Sequence, residues 1–318
     1  MATTSNIHGT WWDTSTGKET MKTLVRGWFD STDREALVEW KAVCKDIPTN
    51  DEYEREARIA GLGAMQEIAE GQNIPLEEAK FGGTKDFTQV RYGNGFRVTD
   101  RMKRFNKIKL IEKLTKSLKK TMLEGKDIEI AKMWNNATAT TYASGFTENG
   151  TARALAYDSH LCLDDAGTTY DNYLDQDLAT GSYETALQYF DKMYDDQGNV
   201  FVGRARKLVV NPSLRVKAYQ ILRADLKPFE QSNTKYDLNS YFGFDVQPFV
   251  YHRLSATTSW FVLGDVNDSD YGPRVYTALE PDLETKDGDD RTRDIVYTSH
   301  QYFKYGFTDP RMVYCGNT

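Results

Sequence analysis

Between residues 105 and 128 the apolar residues Phe105, Ile108, Ile111, Leu114, Leu118, Met122 and Ile128 recur mainly at steps of three and four. That spacing forms one stripe on a helix; a strand, whose side chains alternate faces, cannot carry it. The pattern predicts a helix from about 100 to about 136, opened by a cap at Thr99 or Asp100 and about 50 Å long. Gly125 is its weak point and a place to bend. Its polar positions are basic: nine Lys or Arg between 101 and 120 face one acid, Glu112. The chain carries −7 overall and this segment +8, which leaves −15 elsewhere. Two readings follow, a solvated face built from helix-favouring lysines and a wall turned toward a polyanion. Lys103, Lys107, Lys113, Lys116 and Lys120 are the candidates for the second.

Around this rod the chain changes character several times. Residues 1–20 are polar apart from Trp11 and Trp12, and such a segment gains its order from another surface. Residues 21–46 read as one or two helices, with Ser31-Thr32-Asp33 as an N-cap and Leu37, Trp40 and Cys44 on one face, ended by Pro48. From 50 to 80 the sequence is charged and broken by Gly61, Gly63 and Pro75, with Gly82-Gly83 just beyond; a short helix over 51–60 is expected. So little to bury suits an arm lying on a neighbour better than a loop in a compact domain. "TKDFTQVRY" and "GFRVT" are two extended runs around Gly93-Asn94-Gly95, which marks a turn, kink or bulge.

After a loop-rich stretch, a helix begins near Ser182, a strand spans Lys207 to Val210, Asn211-Pro212 turns, and a helix runs from Ser213 to Leu222. "FDVQPFVY" and "TSWFVLGD" add strands, giving an α/β module over about 150–275. "IVYTSHQYFKYGF" predicts a strand of ten to thirteen residues, and "RMVYC" a last short one.

Chemical motifs are scarce. The four histidines lack partners at zinc-ligand spacing, and no GxSxG, GxxxxGK[ST] or GxGxxG occurs. A calcium-like start at Asp265 lacks glycine at its sixth position, Asp270, and an acid at its twelfth, Tyr276. Asp158-Ser159-His160 are neighbours in sequence, which seldom converge on one reacting atom. Three widely spaced cysteines fit a reducing compartment without a disulfide framework. No apolar run approaches the roughly 20 residues of a membrane span, and the N-terminus lacks a basic start and apolar core. Aromatics are 13% of the chain, a content that suits interfaces as well as cores. No cofactor, metal or membrane partner is expected.

The order of parts (arm, extended excursion, long helix, α/β module, long returning strand) resembles the major capsid proteins of tailed bacteriophages, the Hong Kong 97-type fold, and more narrowly the Mu-like head subunits. The likeness rests on "YGNGFRVTDRM" leading into the helix, "WNNA" closing it, "YDSH" at 157–160, "LVVNPSLRVKAYQIL" at 208–222, "SWFVLGD" at 259–265 and "YGFTDPRMVYCG" at 305–316. It covers roughly residues 80–318 and implies an α+β fold with an N-arm at 1–48 and an E-loop at 49–98. It further implies a peripheral (P) domain at 99–149 and 276–318 and an axial (A) domain at 150–275.

The implied function is structural, not enzymatic: self-assembly into pentamers and hexamers that form an icosahedral head around double-stranded DNA, in the virion after assembly in the host cytoplasm. Trp11, Trp12, Asp51, Glu52, Glu54, Glu56, Lys85 and Asp86 are the implied inter-subunit contacts. Implied partners are further copies of the chain, a separate scaffolding protein (the chain starts almost directly at the N-arm), a portal, decoration proteins and packaged DNA. No Lys–Asn pair aligns for cross-linking, so the shell is expected to be non-covalent. The competing readings are a stand-alone hydrolase or a polymer-binding module using residues 150–275.

Overall fold

The computed structural model describes residues 14–32, 38–61, 65, 67–74, 76, 79–142, 144–148, 150–163, 167–197, 199–200, 203–223, 245–266, 271–287 and 293–316. Trp11 and Trp12, with Asp33 and Leu37, lie outside them.

The first helix, α1 (Ser15–Asp30), starts inside the stretch expected to gain its order from another surface; Thr14 Oγ1 accepts the Gly17 N–H at 3.0 Å and caps it. Ser31, expected to open a helix, closes this one: its N–H donates to the Gly27 carbonyl at 2.9 Å. A 3₁₀ turn at Trp40–Ala42 leads into β1 (Lys45–Pro48). The segment expected as a short helix is a strand, β2 (Tyr53–Ile59), paired antiparallel with β3 (Phe81–Thr88). Its residues alternate exposed and covered, the period of a strand. β4 (Val90–Val98) follows after Gln89, and Gly93-Asn94-Gly95 runs straight through it, opposite His300, Ser299 and Thr298. Glycine is needed there because a Cβ on Gly95 would sit 2.8 Å from the Tyr297 carbonyl oxygen.

The long helix is divided. Thr99 caps α2 (Asp100–Arg104), and the chain then passes through Asn106 at φ 52° before α3 (Ile108–Asn135). Asn is among the few residues that accept this left-handed conformation. α3 runs unbroken through Gly125 for 28 residues, about 42 Å.

Two short antiparallel pairs come next, β5 (Ser144–Glu148) with β6 (Thr151–Ala154) and β7 (His160–Leu161) with β8 (Thr169–Tyr170). Then follow β9 (Tyr173–Leu174), α4 (Thr180–Asp191), β10 (Lys207–Val210), α5 (Arg215–Arg223), β11 (Gln247–Val250), β12 (Trp260–Leu263), β13 (Pro273–Asp287), β14 (Ile295–Phe307) and β15 (Val313–Gly316).

Two sheets organise the molecule. One has the order β1-β13-β14-β4, the other β11-β10-β12-β15-β9. β15, expected with the long-helix domain, therefore belongs to the sheet of the α/β module. Likewise β1 and β4, assigned to arm and E-loop, are strands of the long-helix domain's sheet. Two apolar clusters follow this division. Met21, Val25 and Phe29 of α1 meet Ile111, Leu118 and Met122 of α3 over Val98, Ile295 and Tyr297. The larger cluster joins Ile130, Met133 and Trp134 at the other end of α3 to Trp40, Phe190, Trp260, Phe261 and β10. α3 thus spans both clusters.

Two buried charges mark the middle of that helix. The Lys126 ammonium reaches Thr277 Oγ1 at 3.0 Å and Glu280 Oε1 at 3.1 Å, and lies 4.7 Å from the Trp40 ring. The Asp127 carboxylate accepts the Trp40 N–H at 2.9 Å and faces Tyr251 and Arg253. Burial holds Lys126 below its ordinary pKa despite Glu280, and pushes Asp127 up against the opposing pull of Arg253.

Candidate subunit interfaces

The β2–β3 hairpin has two chemically different faces because strand side chains alternate. On its inner face Glu54 bonds Thr49, and Glu56 bonds Arg274 and Tyr276 of the same chain. Both acids were expected to reach another subunit; within the chain they already have partners. Phe87 pins the base, fully buried with its ring 4.8 Å from that of Tyr276. Lys85 is half-buried, and its pKa is lowered by burial and by Lys304.

The outer face carries Tyr53, Ala57, Ile59, Phe81 and Thr84, crossed by a two-pronged ion pair from Arg55 to Asp86 at 2.6 and 2.9 Å. Asp51 and Glu52 are exposed where the chain enters the hairpin. Beyond the strands, Met65, Ile68, Ile74 and Leu76 are exposed, Met65 completely. Of the sixteen large exposed apolar residues described, eight lie between 53 and 90. Single exposed apolar residues are ordinary; seven of these eight, all but Val90 of β4, lie on the hairpin and its connecting segment, and that concentration marks a contact surface.

Near its far end the hairpin is held by charge. Arg58, 6% exposed, donates to Asp196 Oδ1 through Nη2 at 2.5 Å and Nε at 3.1 Å, and to the Leu161 carbonyl at 2.8 Å. Glu148 and Asp309 stand 3.8 and 3.7 Å away. Arg311, fully buried, shares Asp196 and pairs with Asp309 at 3.2 Å. Burial opposes the charge on both arginines, but Asp309 and Asp196 more than offset it and their pKa values rise. Burial likewise pushes Asp196 and Glu148 up; the two arginines around Asp196, and chiefly His160 beside Glu148, bring both below the usual carboxylate range. No sequence pattern pointed to this cage, whose charged members come from four separate segments.

α3 presents two outward sectors. Lys109, Lys113, Lys116 and Lys120 line a shallow groove with Glu112 and Ser117. Within it Lys116 pairs with Glu112 at 2.6 Å; Lys120 pairs with Glu124 at 3.4 Å. Lys107, Lys109 and Lys113 are exposed, with no ion pair among the described residues. Lys103, expected in this basic row, is 4% exposed and donates to the Arg293 carbonyl, so it is not part of an open basic face. The second sector, Leu110, Leu114, Ser117, Thr121, Gly125 and Ile128, follows helical spacing and is uncharged. The single apolar stripe of the sequence is therefore two: Ile108, Ile111, Leu118 and Met122 are buried, while Leu110, Ile128 and, before the helix, Phe105 are exposed.

Among the described residues, no group of three His, Cys, Asp or Glu is placed to hold a metal. His160 is buried, stacked on Tyr170 at 5.1 Å and bonded to Glu148 at 3.3 Å, which makes it a packed core histidine. No described helix is long and apolar enough to cross a membrane.

Comparison with known proteins bears on this architecture. The family model described as phage capsid protein matches residues 82–316, well over half of the chain. A search of curated proteins gives no match. The structure is similar to a virus-like particle from Pyrococcus furiosus, at 10% identity over 93% of this chain and 97% of that one, with a TM-score of 0.52. It is similar to the capsid of the cyanophage P-SCSP1u at 10% identity, over 86% and 85% of the two chains, TM-score 0.53. The procapsid protein of bacteriophage JBD30 aligns at 10% identity over 95% of this chain and 75% of that one, TM-score 0.52. With the Hong Kong 97-type α+β architecture and this family match, the chain belongs to the phage capsid protein family and is a structural major capsid protein of the virion.

Proposed function

We propose that copies of this chain associate as pentamers and hexamers and close into an icosahedral head around double-stranded DNA, after assembly in the host cytoplasm with a scaffolding protein and a portal. The observation that carries this reading is the concentration of exposed apolar residues on the hairpin and its connecting segment, from Tyr53 to Phe81. A projecting ribbon with Met65, Ile74 and Leu76 in water is stabilised when another copy covers it, at about 25 cal/mol per Å² before ordering costs. The uncharged sector of α3 offers a seat for such a contact, because Ser117, Thr121 and Gly125 let a partner approach closely. Within the same proposal, the Mu-like subgroup and the division into N-arm, E-loop, P and A domains describe the subunit, with Asp51, Glu52 and Asp86 placed at the contacts.

The lysine groove serves a different partner in this reading. Lys107, Lys113, Lys116 and Lys120 contact DNA phosphates without sequence preference. The test is sedimentation and electron microscopy of the purified protein. Closed particles with five- and six-fold capsomers are expected; a 36.3 kDa monomer in every buffer contradicts the proposal. For the lysines, the K113Q/K116Q/K120Q variant is expected to retain DNA less well as salt rises. DNA retention equal to that of the unsubstituted particle at every salt concentration removes their role.

A further inference from the structure

A two-stranded ribbon needs two fixed points to define its direction, and this hairpin has two of unlike chemistry. Phe87 is the first, at the base, and rests in apolar packing against Tyr276. Arg58 is the second, toward the far end. Its planar fork engages Asp196 through two nitrogens, so the bond fixes orientation as well as distance. The Gln197 side-chain amide donates to the Gly61 carbonyl at 2.6 Å and ties the same end to the same turn. Asp196 is itself held by Arg311, and Arg311 by Asp309, so the carboxylate that receives Arg58 is braced from behind. Open clefts of about 320 and 360 Å³ border Arg58, the first lined in part by Phe81, Gly82 and Leu163, the second by Glu56, Ile59 and Tyr271. A seven-residue strand is about 23 Å long, so a 10° tilt moves its end by about 4 Å.

We propose that Arg58 is the positioning residue of the hairpin: seated among Asp196, Asp309 and Glu148, it fixes the angle at which β2–β3 leaves the subunit and, through that angle, the curvature of the shell. The curvature half rests on the shell reading above; the angle half is a property of the single subunit. Losing the fork leaves Phe87, the bonds of Glu56 and the single Gln197–Gly61 bond, a looser hold at the far end that widens the range of hairpin angles. Neighbouring subunits then meet at a range of angles.

The experiment compares Arg58→Met, Arg58→Lys and the exposed control Arg55→Met. Amide hydrogen exchange on unassembled subunits is read over 53–61 and 79–88, against α3 as an internal reference. Cryo-electron microscopy of assembled material gives particle diameters. Arg58→Met is expected to speed hairpin exchange at least tenfold with α3 unchanged, and to broaden or shift the diameters. Arg58→Lys keeps the charge without the fork and is expected to fall between; it carries the comparison if Arg58→Met does not fold. Arg55→Met, whose ion pair lies on the outer face, is expected to leave hairpin exchange in the unassembled subunit as it is, and it controls the angle half alone. A merely structural role lowers yield and leaves diameter alone, so variant particles of unchanged diameter overturn the curvature half. Unchanged hairpin exchange in the folded Arg58 variants overturns the whole proposal. If unsubstituted subunits form no shell, the shell reading fails, and the exchange measurement still decides the angle.

Discussion

The contact between Phe87 and Gly306 can be perturbed from both sides. Phe87 is fully buried, and its Cε1 stands 2.7 Å from where a Cβ on Gly306 would lie. Gly306 is therefore a glycine of close approach: the ring occupies the volume that a methyl group would take. Phe87→Ala empties that volume and is expected to cost about 3–5 kcal/mol, the usual range for deleting a buried ring. Gly306→Ala forces the ring aside and is expected to cost about 1–3 kcal/mol by overpacking. In the double variant the new methyl enters space the ring has left. The second substitution should then cost less than about 0.5 kcal/mol, giving a coupling of about 1–3 kcal/mol. Urea unfolding of unassembled subunits, followed by tryptophan fluorescence, measures all four corners of the cycle. Two costs that add within about 0.5 kcal/mol would show that ring and glycine do not share this volume, and that the hairpin base is pinned elsewhere.

Three further outcomes follow from buried groups and backbone. Burial raises the pKa values of Tyr170, Tyr189 and Tyr251, so the unfolded chain ionises first and stability should fall as pH rises past about 10; a chemical-denaturation series flat to pH 11 contradicts this. Lys126 has the opposite sign, since its lowered pKa means stability is gained as pH rises through the folded value toward the unfolded one. Lys126→Met is expected to be neutral or stabilising by about 1 kcal/mol at pH 7, because the desolvation of a nearly buried ammonium disappears; a loss above about 3 kcal/mol in urea titration refutes that. Asn106→Gly should leave the melting temperature nearly unchanged, while Asn106→Val should cost about 1–2 kcal/mol at its φ of 52°; equal effects from the two rule out the left-handed bend between α2 and α3.

Strongly patterned segments were legible in the sequence. β10 at 207–210 and β14 at 295–307 coincide with the runs expected, and the order of parts pointed to the phage capsid family whose model matches residues 82–316. Elsewhere local chemistry concealed long-range pairing. "YEREARI" alternates charges in a way that a short surface helix also tolerates, and only its pairing with β3 makes it a strand. The break at Asn106 follows from one residue's backbone tolerance, which no periodicity records. Leu114 and Ile128 fit a helical stripe, yet the sheet covers only one side of α3, and the sequence does not say which apolar residues find partners. The Arg58 cage was illegible for a related reason. Its charges lie at 58, 148, 196, 309 and 311, and ordinary surface charges look the same until the fold brings them together.

The central claim is that the outer side of the hairpin is completed by another copy of the chain. Hydrogen exchange measured on free subunits and on closed particles of the same protein tests it at residues 65–81. Protection there should rise at least tenfold on assembly, with β10 and β12 unchanged. Equal exchange at 65–81 in both states would mean that no neighbour covers the ribbon.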